Sequence, residues 1–239
     1  MGERVKVLCT ICARGGSEGV KNKNLMTLRG KPLIAHTIMQ AKKSGLFETI
    51  SVSSDSDKIL RAAKKWGADF VIDRPKEMAS STAPKLPVIQ HAVLETERVQ
   101  NKQYDMVVDL DVTSPLRTID DVCNAFRLLA EHEHAGNLVT AYPARRSPYF
   151  NMLEMTENGF VKLAKYPDKP IYRRQDAPSC YDMNASIYVW RRNSLFEYEN
   201  VINDRTLVYV MPEERSIDID SRVDLELVRI LAKQREDFR

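Results

Sequence analysis

Val5 to Asn24, VKVLCTICARGGSEGVKNKN, is the stretch whose reading decides the fold. It opens on an apolar run, Val5 to Ala13, broken only by Lys6 and Thr10, which is the composition of a strand buried inside a sheet. It then turns into Arg14-Gly15-Gly16-Ser17-Glu18-Gly19, where glycine lets the backbone approach a neighbour closely. Lys21, Lys23 and two asparagines follow. A buried strand that empties into a glycine-rich, cationic loop offers backbone N–H groups and fixed positive charge to a polyphosphate. An ordinary strand-to-helix turn would explain the glycines alone. The arginine before them and the lysines after them favour phosphate. Two better-known motifs are excluded. The P-loop requires Gly-Lys-Ser/Thr, but Val20 precedes Lys21 and Asn22 follows it. Gly15, Gly16 and Gly19 lack the G-x-G-x-x-G spacing of the dinucleotide fingerprint.

Downstream, the pattern alternates strand and helix. A helix is predicted from Lys31-Pro32 to Lys43, a strand over Thr49–Ser53, a helix carrying Ile59, Ala62, Ala63 and Trp66, and a strand over Asp69–Ile72. Arg74–Pro87 reads as a loop poised to cover a site, followed by a helix from Val88 to Val99. Met106–Leu110 is a buried strand, Thr118–Glu131 the clearest amphipathic helix, and Leu138–Tyr142 a strand. Ala185–Trp190 and Leu207–Met211 are further strands, and Arg222–Gln234 a closing helix. Such an order predicts an α/β fold, a three-layer α/β/α sandwich with a mostly parallel sheet. Between them, 143–183 breaks the rhythm with five prolines, four arginines and four tyrosines. Within it, Phe150–Met155 and Gly159–Leu163 can pair as a hairpin. A stretch this long with little regular structure is usually functional or packs on something else.

The 239 residues suit one domain, residues 1–239, and 43% apolar content supports a sizeable core. A net charge of +3 is too balanced to imply nucleic acid or a membrane as partner. The start runs straight into a strand, which speaks against a secretory leader, and four cysteines without a disulfide framework suit a reducing cytoplasm. Cys9 and Cys12, three apart on a strand, point to opposite faces and read as small core residues.

Two pairs of aspartates stand out. Asp218 and Asp220 share one face of an extended segment, where hard oxygen ligands suit Mg²⁺. Helix capping is the competing role, but Ser221 is available for it. Asp109 and Asp111 form a second same-face pair, also a metal pattern.

Ala13-Arg14-Gly15-Gly16-Ser17-Glu18-Gly19-Val20-Lys21-Asn22-Lys23-Asn24 resembles the signature A-R-x-x-S-K-G-x-x-x-K-N of the acylneuraminate cytidylyltransferases, departing from it at Glu18. The likeness continues at Arg74-Pro75-x-Glu77 with Thr82-Ala83, at Thr113-Ser114-Pro115-Leu116-Arg117, at Asn184-Ala185-Ser186-Ile187-Tyr188 and at Ser216-Ile217-Asp218-Ile219-Asp220. These blocks lie in order and span nearly the whole chain.

The resemblance implies a nucleotide-diphospho-sugar-transferase-like fold and transfer of the cytidylyl group of CTP to the anomeric hydroxyl of a nonulosonic acid, an acidic nine-carbon sugar. It implies that Arg14 and Lys23 are catalytic. It places Ala13, Arg14, Ser17, Lys21, Lys23, Asn24, Arg74, Ala83 and Lys85 on the nucleotide, and Mg²⁺ on Asp218 and Asp220. It puts Asp111, where the family has glutamine, Arg174 and Tyr188 on the sugar, and leaves Asp109 structural. It also implies a homodimer in which the 143–183 arm completes the partner's site. Because an ionised aspartate only accepts hydrogen bonds, Asp111 fits a sugar with an extra N–H donor, such as the diamino sugar legionaminic acid. The rival readings are a sugar-1-phosphate nucleotidyltransferase of similar fold, whose G-G-x-G-T-R loop is absent, and a non-catalytic nucleotide-binding module.

Overall fold

Alternation along the first strand, β1 (Val7–Cys12), sets the layers. Val7, Cys9 and Ile11 enter one core while Leu8 enters another, as a strand covered on both faces requires. The computed structural model describes residues 5–16, 19–166, 169, 171 and 173–238, and at Arg174 the backbone only. After β1 come a short pair, β2 (Thr27–Leu28) and β3 (Lys31–Pro32), then α1 (Leu33–Ser44), β4 (Thr49–Ser54), α2 (Asp57–Lys65) and β5 (Phe70–Asp73). Next are α3 (Lys85–Gln100), β6 (Met106–Leu110), α4 (Ile119–Glu131) and β7 (Asn137–Pro143). A small hairpin, β8 (Leu153–Met155) with β9 (Val161–Leu163), precedes β10 (Tyr181–Arg191), α5 (Arg192–Glu197), β11 (Thr206–Val210) and α6 (Arg222–Gln234).

The main sheet has seven strands in the order β11-β7-β10-β6-β1-β4-β5. Every neighbouring pair is parallel except those of β10, which runs against β6 and β7. Apolar residues of α1, α2, α4 and α6 join one core, and those of α3 and α5 the other. The three-layer α/β/α arrangement with a mostly parallel sheet is therefore as the sequence predicts. From β1 the chain steps outward through β4 and β5, then returns to place β6 on the other side of β1. In open α/β sheets such a reversal leaves a crevice at the carboxyl ends of the strands.

Several boundaries differ from the sequence reading. Pro32 pairs with Thr27 and caps α1 instead of starting it. Helix α3 begins at Lys85, not Val88, because Pro87 sits in the first turn, where no intrahelical N–H is required. The preceding loop also carries a single 3₁₀ turn, Lys76–Ala79. Strand β10 extends back to Tyr181, with a register shift between Met183 and Tyr188 and a positive φ of 51° at Ala185. Asn184 holds that irregularity, accepting from Thr140 Oγ1 at 2.6 Å and donating to Ser216 Oγ at 2.9 Å. Helix α5 is an element the sequence reading lacks. Cys9 lies wholly in one core and the half-buried Cys12 packs against the other while opening onto the crevice, so the two point to opposite faces as the sequence predicts. No described helix is long and apolar enough to cross a membrane.

Two capping boxes fix the starts of α4 and α6. Thr118 and Asp121 close the start of α4, and Ser221 and Asp224 the start of α6. Asp121 also receives Arg215 through two bonds of 2.8 and 2.9 Å, tying α4 to the segment that leads into Asp218. Burial opposes ionisation of Asp121, but Arg215 and the Thr118 bonds outweigh it and lower its pKa. Asp121→Asn is expected to cost about 3 kcal/mol at pH 7, the low end for breaking a buried pair, because Arg215 still reaches solvent. A group with a depressed folded pKa stabilises above its unfolded value, about 4 for aspartate, and loses that contribution as pH falls. Urea unfolding of both proteins should therefore show the gap narrowing below about pH 4.

Candidate active site

The crevice at the ends of β1 and β6 is a cleft of about 290 Å³. Its first wall is the loop after β1. Ala13 N donates to Ser53 O at 2.9 Å and Gly15 N to Asp55 Oδ1 at 2.8 Å, which bends the loop over the end of β4. Asn24 Nδ2 donates to Arg14 O at 2.9 Å, so this buried side chain braces the loop from behind. Gly19 packs against the Asp220 carbonyl so closely that a Cβ there would overlap its oxygen. Lys23 Nζ then donates to Ile219 O at 2.7 Å and pairs with Asp220 Oδ1 at 3.0 Å. The glycine loop and the aspartate segment are thus one wall, built from opposite ends of the chain.

Asp218 and Asp220 both line the cleft, but not on an extended strand. Asp220 N bonds Asp218 O at 3.1 Å, closing a tight turn around the buried Ile219, whose N donates to Thr113 O at 2.9 Å. Ile219 is the apolar anchor and the two carboxylates remain at the cleft. Burial, then the charges of Asp111 and Asp220, push the Asp218 carboxyl up to about 6. Its Oδ1 is buried without a hydrogen-bond partner among the described residues. A buried carboxylate oxygen left unsatisfied is the donor a hard divalent cation fits. Among the described residues no set of three or more His, Cys, Asp or Glu side chains converges as a metal site, so such an ion would draw its other ligands from water or substrate.

The floor holds a second charged group. Lys85 Nζ lies 2.7 Å from Asp111 Oδ2 and 3.2 Å from Asp109 Oδ2, and 4.4 Å from the centre of the Tyr188 ring. Asp109 is fully buried beside Thr10, whose Oγ1 donates to it at 2.8 Å. Asp111 Oδ1 takes Thr113 N and Oγ1 at 3.1 and 2.9 Å. Burial would raise the pKa of Asp111, yet the Lys85 ammonium and the Thr113 bonds hold it well below the usual carboxylate range. Lys85 shows the converse, its charge favoured by both aspartates against burial. Burial also pushes the Tyr188 hydroxyl up to about 12. Beneath Asp111, the buried Arg117 donates to Ser186 O at 3.1 Å and Thr37 Oγ1 at 2.9 Å.

The cleft thus gathers Arg14, Lys23, Asn24, Arg74, Ala83, Lys85, Asp111, Asp218 and Asp220 from the expected set. Arg74 lines it with its guanidinium drawn inward, Nε to Ser53 Oγ at 3.1 Å and Nη2 to Ser53 O at 2.8 Å. Three expected residues stand apart. Lys21 is exposed outside the lining, Ala13 is a buried core residue, and Tyr188 lies beneath Lys85 instead of forming an open wall. Ser17, Glu18 and the Arg174 side chain lie outside the described residues. Asp55 and Thr113 are functional supports the sequence reading assigns no role. Their signal was position, each standing just after a strand that flanks or forms the crevice.

A family model described as "Cytidylyltransferase" matches residues 8–237. Over 226 residues the chain is 42% identical to the CMP-N,N'-diacetyllegionaminic acid synthase of Campylobacter jejuni subsp. jejuni serotype O:2, covering 95% of this chain and 94% of that one. It is 41% identical over 230 residues to the post-translational flagellin modification protein B of Campylobacter coli, covering 96% of each. Its fold matches a CMP:2-keto-3-deoxy-manno-octonic acid synthetase solved with CTP, at a TM-score of 0.66, 18% identity and coverage of 96% and 99%.

The joint between the glycine loop and Asp220 yields a direct test. Gly19→Ala must push the two segments apart and is expected to cost about 1–3 kcal/mol. Gly16→Ala, whose Cβ meets nothing described within 4 Å, should stay within about 0.5 kcal/mol of the parent. Denaturant midpoints of the two variants decide it, and equal values would disprove the joint.

Proposed function

The chain belongs to the cytidylyltransferase family, and from that premise we propose that it transfers the cytidylyl group of CTP to the anomeric hydroxyl of a nonulosonic acid, releasing pyrophosphate. The observation that carries the reading is the cleft itself. Cations of the glycine loop, Arg14 and Lys23, share one wall with the carboxylates Asp218 and Asp220, in a cleft at the carboxyl ends of β1 and β6.

In the reaction the sugar hydroxyl oxygen bonds the α-phosphorus, the bond to the pyrophosphate oxygen breaks, and the hydroxyl proton is lost. Negative charge builds on the transferring group and the leaving pyrophosphate. Arg14 and Lys23 are placed to stabilise it, and such preorganised charge is most of what phosphoryl-type transfer requires. Ser53 holds the Arg74 guanidinium at the cleft wall, where it and Ala83 bound the nucleotide end. Asp218 and Asp220 would hold Mg²⁺, which supplies charge neutralisation on the phosphates and lowers the hydroxyl's effective pKa.

Among nonulosonic acids we favour one with two acylamido groups. Asp111 at the cleft floor accepts and does not donate, and a relative 42% identical over nearly its whole length is named for N,N'-diacetyllegionaminic acid. Pyrophosphate release should require CTP over ATP, GTP and UTP together with an acid sugar, and should stop on chelation of divalent ions. Arg14→Ala and Lys23→Ala should each lower kcat by about a hundredfold, because the lost contact strengthens as charge develops. If no nucleotide supports turnover with any nonulosonic acid, the reading fails.

The active unit is a homodimer, in this reading, working in the cytoplasm. The β8–β9 hairpin exposes Met155 at 78% and Phe160 at 76%, an apolar surface that a second copy would cover. No described residue of 143–183 lines the cleft of its own chain. Arg174, with its fork of donors, would reach the partner's cleft and bind the sugar carboxylate. Mixing Arg174→Ala with Lys23→Ala protomers should then restore activity through the one intact site in each heterodimer. Failure to recover any, once subunit exchange is demonstrated, would assign Arg174 to its own chain or to no site.

A further inference from the structure

Asp109-Leu110-Asp111 has the look of a metal motif, yet an ammonium already stands between its carboxylates. Lys85 Nζ is 2.7 Å from Asp111 Oδ2 and 3.2 Å from Asp109 Oδ2, over the Tyr188 ring. Two carboxylates are balanced by the Lys85 ammonium and the buried Arg117 guanidinium, so the Lys85 charge is already committed, and the Asp111 carboxylate left at the cleft attracts hydrogen-bond donors. Drawing Lys85 away to a triphosphate would also strand Asp109, which is wholly buried, whose Oδ2 has that ammonium as its ion-pair partner and no hydrogen bond among the described residues, and whose Oδ1 accepts from a neutral hydroxyl, Thr10. Lys85 is therefore poorly suited to be a nucleotide ligand, the role the family resemblance implies for it.

Asp111, by contrast, has capacity left. Its Oδ1 is occupied by Thr113 N and Oγ1, while Oδ2 receives Lys85 and can accept one bond more. Its side chain is 21% exposed and lines the cleft. We propose that Lys85 is a specificity-determining residue for the acid sugar, acting through Asp111. The ammonium fixes the carboxylate so that Oδ2 presents an acceptor to a sugar N–H, and it offsets the charge that would otherwise repel an anionic substrate. The donor-bearing acylamido face of the sugar lies against this floor, and its carboxylate lies elsewhere. This deepens the proposed function and rests on its acid-sugar reading.

The test is steady-state kinetics with CTP and two sugars, N,N'-diacetyllegionaminic acid and the singly acylated N-acetylneuraminic acid. Lys85→Met should raise KM for the diacylated sugar about tenfold, leave KM for CTP within about twofold, and narrow the preference between the sugars. Lys85→Met/Asp109→Asn removes the buried charge along with its partner and should give the same split, so the outcome does not depend on the single variant folding. A higher KM for CTP with an unchanged sugar KM overturns the proposal and makes Lys85 a nucleotide ligand. A fall in kcat alone, with both KM values and the preference unchanged, also overturns it. If the unmodified protein turns over neither sugar with CTP, the proposed function itself fails, a result that needs no variant.

Discussion

A carboxylate buried at the centre of a sheet demands a cation, and Asp109 sets that demand here. It is fully buried on β6, next to Thr10 of β1, and Lys85 meets it from the first turn of α3. Satisfying it draws the start of α3 over the sheet's reversal point. That in turn places Ala83 along one side of the cleft, beside the Arg74 that Ser53 holds, and Asp111 on its floor. An isolated ion at this depth would be far too costly to keep, so the pairing and the position of α3 are one constraint.

The opposite wall obeys a related logic. The Asp218–Asp220 segment is held by main-chain contacts, through Ile219 to Thr113 and through Gly19 and Lys23 to the carbonyls of Asp220 and Ile219. Because backbone does the holding, the carboxylates remain at the cleft for other partners. Lys23 pairs with Asp220 at the surface, where an ion pair is cheap to exchange, whereas Lys85 pairs in the interior, where it is not. The same residue type therefore does two jobs in one site. The lysine at the rim can answer a substrate and the lysine on the floor defines the shape that a substrate meets.

Much of this was legible along the chain. The run from Val7 to Cys12, the stripe through Val122 and Leu129, and the cap at Ser221 are local patterns, read at periods of two and 3.6 with their end signals. The glycine-rich cationic loop and the Asp218–Asp220 pair also announced themselves, because their chemistry is written in adjacent residues. Where local reading failed, at the start of α3 and in the turn around Ile219, the chain did something its composition also allows but does not require.

The sequence by itself determined the alternation of strands and helices and the cleft's candidate charges, since periodicity, caps and glycine act over a few residues. Only the tertiary structure decided what those charges do. Asn24 turns back on Arg14, Arg74 spends donors on Ser53, and Tyr188 lies under Lys85. Lys85 and Asp111 are 26 residues apart, and Lys23 and Asp220 are 197 apart. Those meetings depend on which strand lies beside β1, and strand order follows from the packing of the whole sheet, which no window of sequence contains.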